Sequence, residues 1–372
     1  MENIAIITSV RAPYRILQAE HFAKKNNIKV DIYYMDNNYK GHKWKINKSN
    51  IINEYFLNGI KLMDLIYINW GLIKVIKKYD LIMLGGYEQP TYMLANILCK
   101  IMSKKCVLIF DGISPKKLQL PKGGRLYNIK KLLINNFDAI MANGSAGKRY
   151  FTEIFNYPKE RVFEQYLTVD IDKIFSLENK KNEFLRDLKN KYDIEKNNKR
   201  IIAYSGRLIG LKRVEDIIKA ISKLENKEKY LLLLIGDGEE RKNIEELAKK
   251  LEVEIVITGF IENQDKLFQH YYIPDVLVFP SENDVWGLVV NEAMAAGLPI
   301  ISSNACGVSE DLVKNNINGF VYECGDTNEL KECIDKVFDN LDIYKKNSKE
   351  MIKEWSFDNS AKSLKAVVNY LS

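Results

Sequence analysis

The residues best equipped for chemistry cluster in the second half of the chain. Ser205-Gly206-Arg207-Leu208-Ile209-Gly210-Leu211-Lys212 lies between an apolar run and a helical pattern that begins near Arg213. Glycine lets backbone approach a bulky anion, and two cations five residues apart can clamp a diphosphate at a strand end. A solvated basic loop before a helix is the competing reading. The second stretch is Pro280-Ser281-Glu282-Asn283-Asp284-Val285-Trp286-Gly287-Leu288-Val289-Val290-Asn291-Glu292-Ala293-Met294-Ala295-Ala296-Gly297-Leu298-Pro299. Here an acidic loop opens into a helix whose first amides, around Gly287, Leu288 and Val289, have no intrahelical partner. Asp284 and Glu292 stand eight residues apart, so one reaches a ligand at the helix mouth and the other lies about two turns along. Both carboxylates accept from hydroxyl donors such as those of a sugar or ribose. Asp284 also suits a helix N-cap. Glu292 sits among Val289, Val290, Ala293 and Ala295, and a carboxylate in such surroundings needs a partner.

The elements that must position these residues follow from hydrophobic patterning. At roughly 100–200 residues per domain, 372 residues favour two domains. Short apolar runs alternate with amphipathic stretches, the pattern of parallel sheets covered by helices, so an α/β class is expected. In the first unit strands read at 4–8, 30–34, 81–84, 107–109, 139–141 and around Val162, with helices at 16–25 and 91–102. In the second, strands read at 201–204, 230–235, 254–258, 276–279 and 299–302, with helices at 213–224, 239–251, 264–270 and 288–296. Ligands of open parallel sheets bind at the carboxyl ends of the strands, where the polar and glycine-bearing loops fall. The charged stretch 179–200 reads as a linker, giving domains 1–175 and 176–372, with a terminal helix at about 356–371 able to pack back on the first.

Composition narrows the classes. With 46% hydrophobic and 28% charged residues, the chain has the balance of an ordinary globular protein and is neither disordered nor fibrous. The net charge of +7 is uneven: residues 1–175 hold 27 basic and 15 acidic side chains, net +12, and the remainder is net −5. The first half therefore suits an anionic partner, or simply carries a solvated Lys- and Asn-rich surface. Cys99, Cys106, Cys306, Cys324 and Cys333 show no CxxC spacing and read as thiols of a reducing compartment. No run reaches the roughly 18–20 apolar residues of a membrane span. The N-terminus lacks a charged n-region and enters Ile4-Ala5-Ile6-Ile7 directly, against a secretory signal. The expected location is the cytoplasm, with docking on the inner face of the plasma membrane as an open alternative.

The second half resembles the C-terminal domain of glycosyltransferase family 4, the retaining GT-B enzymes (glycosyl transferases group 1). The resemblance rests on Gly206-Arg207 with Lys212, Gly236-Asp237-Gly238-Glu239, Thr258-Gly259-Phe260, Pro280-Ser281, the stretch Trp286 to Pro299, Glu310-Asp311-Leu312-Val313 and Asn318-Gly319-Phe320, spanning roughly 200–330. It implies two Rossmann-like domains with parallel sheets facing a central cleft. Arg207 and Lys212 would hold and stabilise the leaving diphosphate of a nucleotide-sugar, and Glu292 the ribose hydroxyls. Asp284 would contact the donor sugar, the amides of Gly287, Leu288 and Val289 sugar or phosphate, and Gly206 the diphosphate. Gly259, Phe260 and Ile261 would sit beside the nucleobase. The family pattern has glutamate at both ends of its seven-residue spacer, whereas this chain has Asp284 first and Glu282 two residues earlier.

The first half matches more loosely. Its first loop, Thr8-Ser9-Val10-Arg11-Ala12-Pro13-Tyr14-Arg15, is similar to a subset of the family with a Pro-Tyr-Arg element, which would place Arg11, Tyr14 and Arg15 toward the acceptor. Where many members carry a histidine, this chain has Phe110-Asp111-Gly112, and Asp111 either replaces it near the sugar or is a turn residue. Retaining transfer in this fold is thought to use the leaving phosphate to take the acceptor proton. A histidine pair is then not required, and His21, His42 and His270 provide none.

The expected activity is retaining hexosyl transfer: a hexose or N-acetylhexosamine moves from a UDP- or GDP-sugar to a glycan or lipid-linked glycan hydroxyl in α-linkage. Surface polysaccharide, lipopolysaccharide or capsule assembly is the implied setting. No cofactor or metal and no nucleic-acid partner is expected, and an anionic membrane surface would suit the +12 half. Three rivals remain. Asp170-Ile171-Asp172 could hold a divalent ion as in GT-A transferases, although it falls late for that role. An NAD-type oxidoreductase shares the double-Rossmann architecture but lacks GxGxxG after its first strand here. A non-catalytic sugar- or lipid-binding module would not need Arg207, Lys212 and Glu292 together.

Overall fold

The computed structural model describes residues 1–36, 48–63, 66–119, 123–194 and 199–372. It divides into two compact units: Met1–Ile113 and Lys117–Leu167 with Ser356–Ser372, and Ser114–Lys116 with Thr168–Trp355.

The first unit begins with β1 (Asn3–Thr8), α1 (Pro13–Asn26), β2 (Lys29–Tyr34) and β3 (Asn53–Phe56). A hairpin of β4 (Gly59–Leu62) and β5 (Ile66–Asn69) follows, then α2 (Leu72–Lys78), β6 (Leu81–Leu84), α3 (Pro90–Ile101) and β7 (Lys105–Phe110). The unit continues through α4 (Arg125–Asn135), β8 (Ala139–Ala142), α5 (Gly144–Arg149), which runs into a π turn, and β9 (Val162–Glu164). Seven strands form one sheet in the order β3-β2-β1-β6-β7-β8-β9, and every pair is parallel. Ile4, Ala5, Ile6 and Ile7 are all fully buried, as strands covered on both faces require.

The second unit holds α6 (Ile171–Leu177), α7 (Lys181–Lys191), β10 (Arg200–Ser205), α8 (Val214–Ser222), β11 (Tyr230–Ile235), α9 (Arg241–Leu251) and β12 (Ile255–Ile257). It continues with α10 (Gln264–His270), β13 (Val276–Phe279), α11 (Leu288–Ala295), β14 (Ile300–Ser303), α12 (Gly307–Leu312), β15 (Gly319–Tyr322), α13 (Thr327–Val337) and α14 (Leu341–Ile352). Its six strands run β12-β11-β10-β13-β14-β15, again all parallel. The chain's last helix, α15 (Phe357–Leu371), belongs to the first unit and packs along α1, burying Ala361, Leu364 and Val367. The fold is α/β, with two Rossmann-like domains.

Three sequence expectations need correction. The stretch 179–200 is not a plain linker: α7 packs on α10, with Phe184 edge-on to Tyr272 at 5.9 Å. The division between units falls at Leu167 and Thr168 rather than at 175, because α6 packs on α11. The structure has four strands beyond those the patterning predicts, β3, β4, β5 and β15. Asn-Glu-Tyr-Phe in β3 is largely exposed, and the two hairpin strands carry their apolar residues outward.

In each sheet the strand order reverses beside the first strand, between β1 and β6 in one unit and β10 and β13 in the other. A crevice outside the carboxyl ends of the strands opens at such a switch point. In the second unit, residues 206–212 leave β10 there and residues 280–287 leave β13.

Candidate functional site

The loop after β10 is shaped by glycine. Gly206 has φ 146°, and a Cβ at Gly236 would lie 1.9 Å from the Gly206 carbonyl oxygen, so the two loops approach as only glycine allows. The Leu208 amide donates to the Asp237 carbonyl at 3.0 Å, and the Glu240 amide to Leu208 at 3.0 Å. Arg207 is thereby held exposed, with no ion pair among the described residues. A short 3-10 turn, Gly210–Lys212, then ends in the left-handed Arg213, and carries Lys212 toward β13.

Lys212 Nζ donates to Asp284 Oδ2 at 2.5 Å, with both side chains about one-fifth exposed at 18% and 19%. The ammonium also stands 5.5 Å from the Phe279 ring centre. Two further contacts bind this loop to its neighbour: the Glu282 amide and the Ser281 hydroxyl both donate to the Leu211 carbonyl, at 3.1 and 3.2 Å. Asp284 is not the cap of α11. Its Oδ1 accepts from the Trp286 amide at 3.2 Å, and Gly287 is the N-cap, with φ 112° and no side-chain capping bond. A Cβ on Gly287 would meet the Phe279 ring at 2.6 Å, so glycine is required there and the first amides of α11, at Leu288 and Val289, are left uncapped. Trp286 fixes the turn from within: it is 1% exposed, donates from Nε1 to Asn291 at 2.9 Å and stacks on Trp355 at 5.2 Å.

Glu292 finds the partner its surroundings demand. Tyr271, at the end of α10, donates to Glu292 Oε2 at 2.6 Å and lies 2.9 Å from the Ser205 hydroxyl. A tyrosine has one proton, so with Tyr271 donating to Glu292, Ser205 donates to Tyr271. Burial pushes the Glu292 carboxyl up to about 7, opposed by the Tyr271 bond. A carboxyl poised there gains strong acceptor character when a ligand's hydroxyls displace water.

The Tyr204 hydroxyl draws the set together. It donates to the Arg207 carbonyl at 2.9 Å, and its own ionisation is pushed up, first by burial and then by the charge of Asp284. Cys306 adjoins the same charges and is pushed up to about 12, chiefly by burial, which keeps it a neutral thiol. It lines a hollow of about 490 Å³ with Asn304, Ser309, Glu310 and Lys314. Gly259, at φ 74°, presents Phe260 at 58% exposure, and Ile261 is half-buried beside it. Thus Arg207, Lys212, Asp284, Tyr204 and Cys306 form one group, and Glu292 hangs from Ser205 at the end of the same strand through Tyr271. Sequence reasoning missed Tyr204, Tyr271 and Trp355. Apolar-looking aromatics in predicted core positions give no polar signal.

The first unit's expected contacts are engaged internally. Arg11 pairs with Glu54 through two bonds of 2.6 and 2.8 Å, and Glu54 also accepts from Tyr34 at 2.8 Å. Arg15 is 2% exposed, donating to Asp111 Oδ1 at 2.5 Å and to Gln18. Tyr14 reaches Asp111 Oδ2 at 3.0 Å, and Gln165 donates to Oδ1 at 2.8 Å. Asp111 is therefore an anchor for three donors rather than a bare turn residue, and its side chain is still 34% exposed. Asp170 caps α6 by accepting from the Lys173 amide at 3.1 Å, which accounts for one member of the Asp-x-Asp pair. His270 is buried between Tyr192 and the Lys266 carbonyl, burial lowering its pKa, and His21 faces Asp358. His42 lies outside the described residues. No group of three or more potential metal ligands occurs among the described residues.

Residues 186–354 match the family of glycosyl transferases group 1. That segment contains Tyr204, Ser205, Arg207, Lys212, Tyr271, Asp284, Trp286, Glu292 and Cys306. The chain is 32% identical over 161 residues to an N-acetyl-alpha-D-glucosaminyl L-malate synthase of Bacillus anthracis, covering 42% of each chain. It is 29% identical over 167 residues to the capsular polysaccharide biosynthesis glycosyltransferase CapM of Staphylococcus aureus, covering 45% of this chain and 42% of that one. The chain spans about half the length of the curated relatives it matches, 55%, 42% and 41% in the leading cases. Over nearly its whole length it shares the fold of Anabaena HepE, solved in complex with UDP, at TM-score 0.76 and 18% identity, covering 99% of this chain and 100% of that one. No helix among the described residues is long and apolar enough to cross a membrane.

Proposed function

We propose that the protein is a retaining glycosyltransferase that moves a hexose or N-acetylhexosamine from a UDP- or GDP-sugar to a glycan hydroxyl, forming an α-linkage. The observation that carries this reading is the cation-and-carboxylate constellation at the switch point of the second sheet, inside the group 1 segment. Arg207, exposed and without an ion pair among the described residues, meets the diphosphate together with Lys212, which exchanges part of its contact with Asp284 for phosphate oxygens. Gly206 lets the phosphates approach the backbone, and the uncapped amides of Gly287, Leu288 and Val289 donate to sugar or phosphate. Glu292 accepts from the ribose hydroxyls, while Gly259, Phe260 and Ile261 flank the base. Asp284 reads a hydroxyl of the transferred sugar.

As the bond from the anomeric carbon to the diphosphate oxygen breaks, negative charge grows on the leaving phosphate, where Arg207 and Lys212 stabilise it. The acceptor hydroxyl attacks from the same face and its proton passes to that phosphate. Donor sugar and acceptor become glycoside and nucleoside diphosphate. No protein base is needed, and these cations supply positive charge without a metal in this reading. In the first unit, Asp111 and Tyr14 are the groups offered to the acceptor, with Arg11 and Arg15 holding that loop in place. The capsular relative supports a surface-polysaccharide setting.

The test is a thermal-shift panel of UDP, GDP, ADP and their sugars, with and without EDTA, because a ligand of the native state raises the melting temperature by mass action. A shift with one nucleotide family that survives EDTA is expected. No shift with any nucleotide, or one with NAD alone, overturns the reading.

A further inference from the structure

The hairpin of β4 and β5 is inside out. Its register pairs Ile60 with Ile68 and Leu62 with Ile66, and these four aliphatic side chains all point away from the protein at 37–49% exposure. The intervening pair points inward, where Tyr67 is buried and Lys61 donates to Asp36 at 3.0 Å. A half-buried strand pair ordinarily alternates the other way. Met63 at the turn is 89% exposed and Trp70, just past β5, is 55% exposed.

The apolar surface continues onto neighbouring helices. The Asn69 amide donates to Thr91 at 3.0 Å, joining β5 to the start of α3, and Asn96 donates to the Leu133 carbonyl at 3.3 Å, joining α3 to α4. On the outer side of α3, Leu94, Ile97 and Ile101 are exposed at i, i+3, i+7 spacing, and α4 exposes Leu126, Ile129 and Leu132. Of the 22 large apolar residues exposed among the described residues, 13 lie on this stretch of the first unit and five on the whole second unit. A patch of this extent on a soluble surface marks a docking face.

Its charge selects the occupant. The elements β4, β5, α2, α3 and α4 contain eight basic residues and no aspartate or glutamate. Lys74, Lys77, Lys100, Arg125 and Lys131 make no ion pair among the described residues. A second copy seated on this face would bring one cationic surface against another. Aliphatic residues, a tryptophan at the edge and lysines able to extend their stems suit the boundary between acyl chains and acidic headgroups.

We infer that this face of the first unit docks on an anionic lipid bilayer, with the hairpin entering the interface and the lysines meeting acidic headgroups. The inference depends on no assignment of donor or acceptor. It is tested by co-sedimentation of the full chain with vesicles of phosphatidylcholine alone or mixed with phosphatidylglycerol. Binding is expected only to the mixed vesicles, weakening as salt rises. The double variant I60D/I68D, altered only at exposed positions, should lose about tenfold or more in partitioning, because charge on the inserted face opposes entry. I343D, placed at an exposed site of the second unit, should bind like wild type. Reading the thermal melting transition of the same samples, without nucleotide and with UDP or GDP, keeps folding and donor binding separate from docking. Equal binding to both vesicle types, no binding, or binding unchanged in I60D/I68D would overturn the inference. So would a concentration-dependent dimer lost in that variant, which would assign the face to a second copy.

Discussion

The loops after β1 and β10 occupy equivalent places, each leaving the first strand of its sheet beside a switch point, and each brings cations there, Arg11 with Arg15 of the following helix in one and Arg207 with Lys212 in the other. Their fates differ. In the first unit Glu54 engages Arg11, and Asp111 with Gln18 engages a buried Arg15. In the second, the glycines at 206 and 236 draw two loops together and leave Arg207 facing solvent, while Lys212 meets a carboxylate at the rim. Residue type and spacing say that a cation is present; whether it is available depends on carboxylates delivered from elsewhere in the chain. The first loop is thus braced from within, and the second leaves one cation exposed and the other paired at the rim.

Removing one cation from each loop should separate these roles. Lys212→Ala is expected to lower kcat/KM by about 100-fold or more, mostly through kcat, since its charge meets the diphosphate and acts most strongly on the leaving phosphate; steady-state kinetics with the donor found by thermal shift measures this. Arg15→Ala should instead cost about 2–3 kcal/mol of stability in urea melts, by removing the charged one of Asp111's three donors and the donor to Gln18, while nucleotide affinity stays as in wild type. Equal effects of the two substitutions on nucleotide binding would erase the contrast.

Glu292→Gln sharpens the receptor side through pH. With its carboxyl raised from 4.5 to about 7, the folded protein keeps a proton that the unfolded chain releases between those values. Wild-type stability contributed by this group therefore falls as pH rises from 4.5 to 7 and is level above. The glutamine variant lacks that fall and should be more stable at pH 8 by at most about 3 kcal/mol. Nucleotide binding moves the other way: ribose hydroxyls favour the carboxylate, so wild-type affinity rises with pH through 7, while the variant's is flat and about tenfold weaker at pH 8. Calorimetric titrations at several pH values distinguish these profiles. The smallest expected effect is that of Phe260→Ala, about fivefold in nucleotide Kd, because an exposed ring contributes stacking alone.

Much of this was legible in the sequence because it is local. Buried parallel strands such as Ile4 to Ile7 and Leu231 to Leu234 are continuous apolar runs, and the glycine-cation and acidic-helix stretches are contiguous. What was not legible depends on pairing across the chain. Arg15 reads as a free acceptor contact until Asp111, 96 residues away, is seen to hold it. Tyr271 reads as core until its hydroxyl is found between Ser205 and Glu292. The hairpin defeats the ordinary rule of alternation, since its apolar residues face outward and its pattern predicts no buried strand.

The central claim is that the second unit's exposed Arg207 and rim Lys212, and not the first unit's Arg11 and Arg15, receive a nucleoside diphosphate. The most direct measurement is calorimetric titration of UDP and of GDP, with EDTA present, into wild type, Lys212→Ala and Arg15→Ala. The account predicts one site in wild type and in Arg15→Ala with matching affinity, and weaker binding in Lys212→Ala. Absence of binding to either nucleotide, or binding lost in Arg15→Ala and intact in Lys212→Ala, would contradict it.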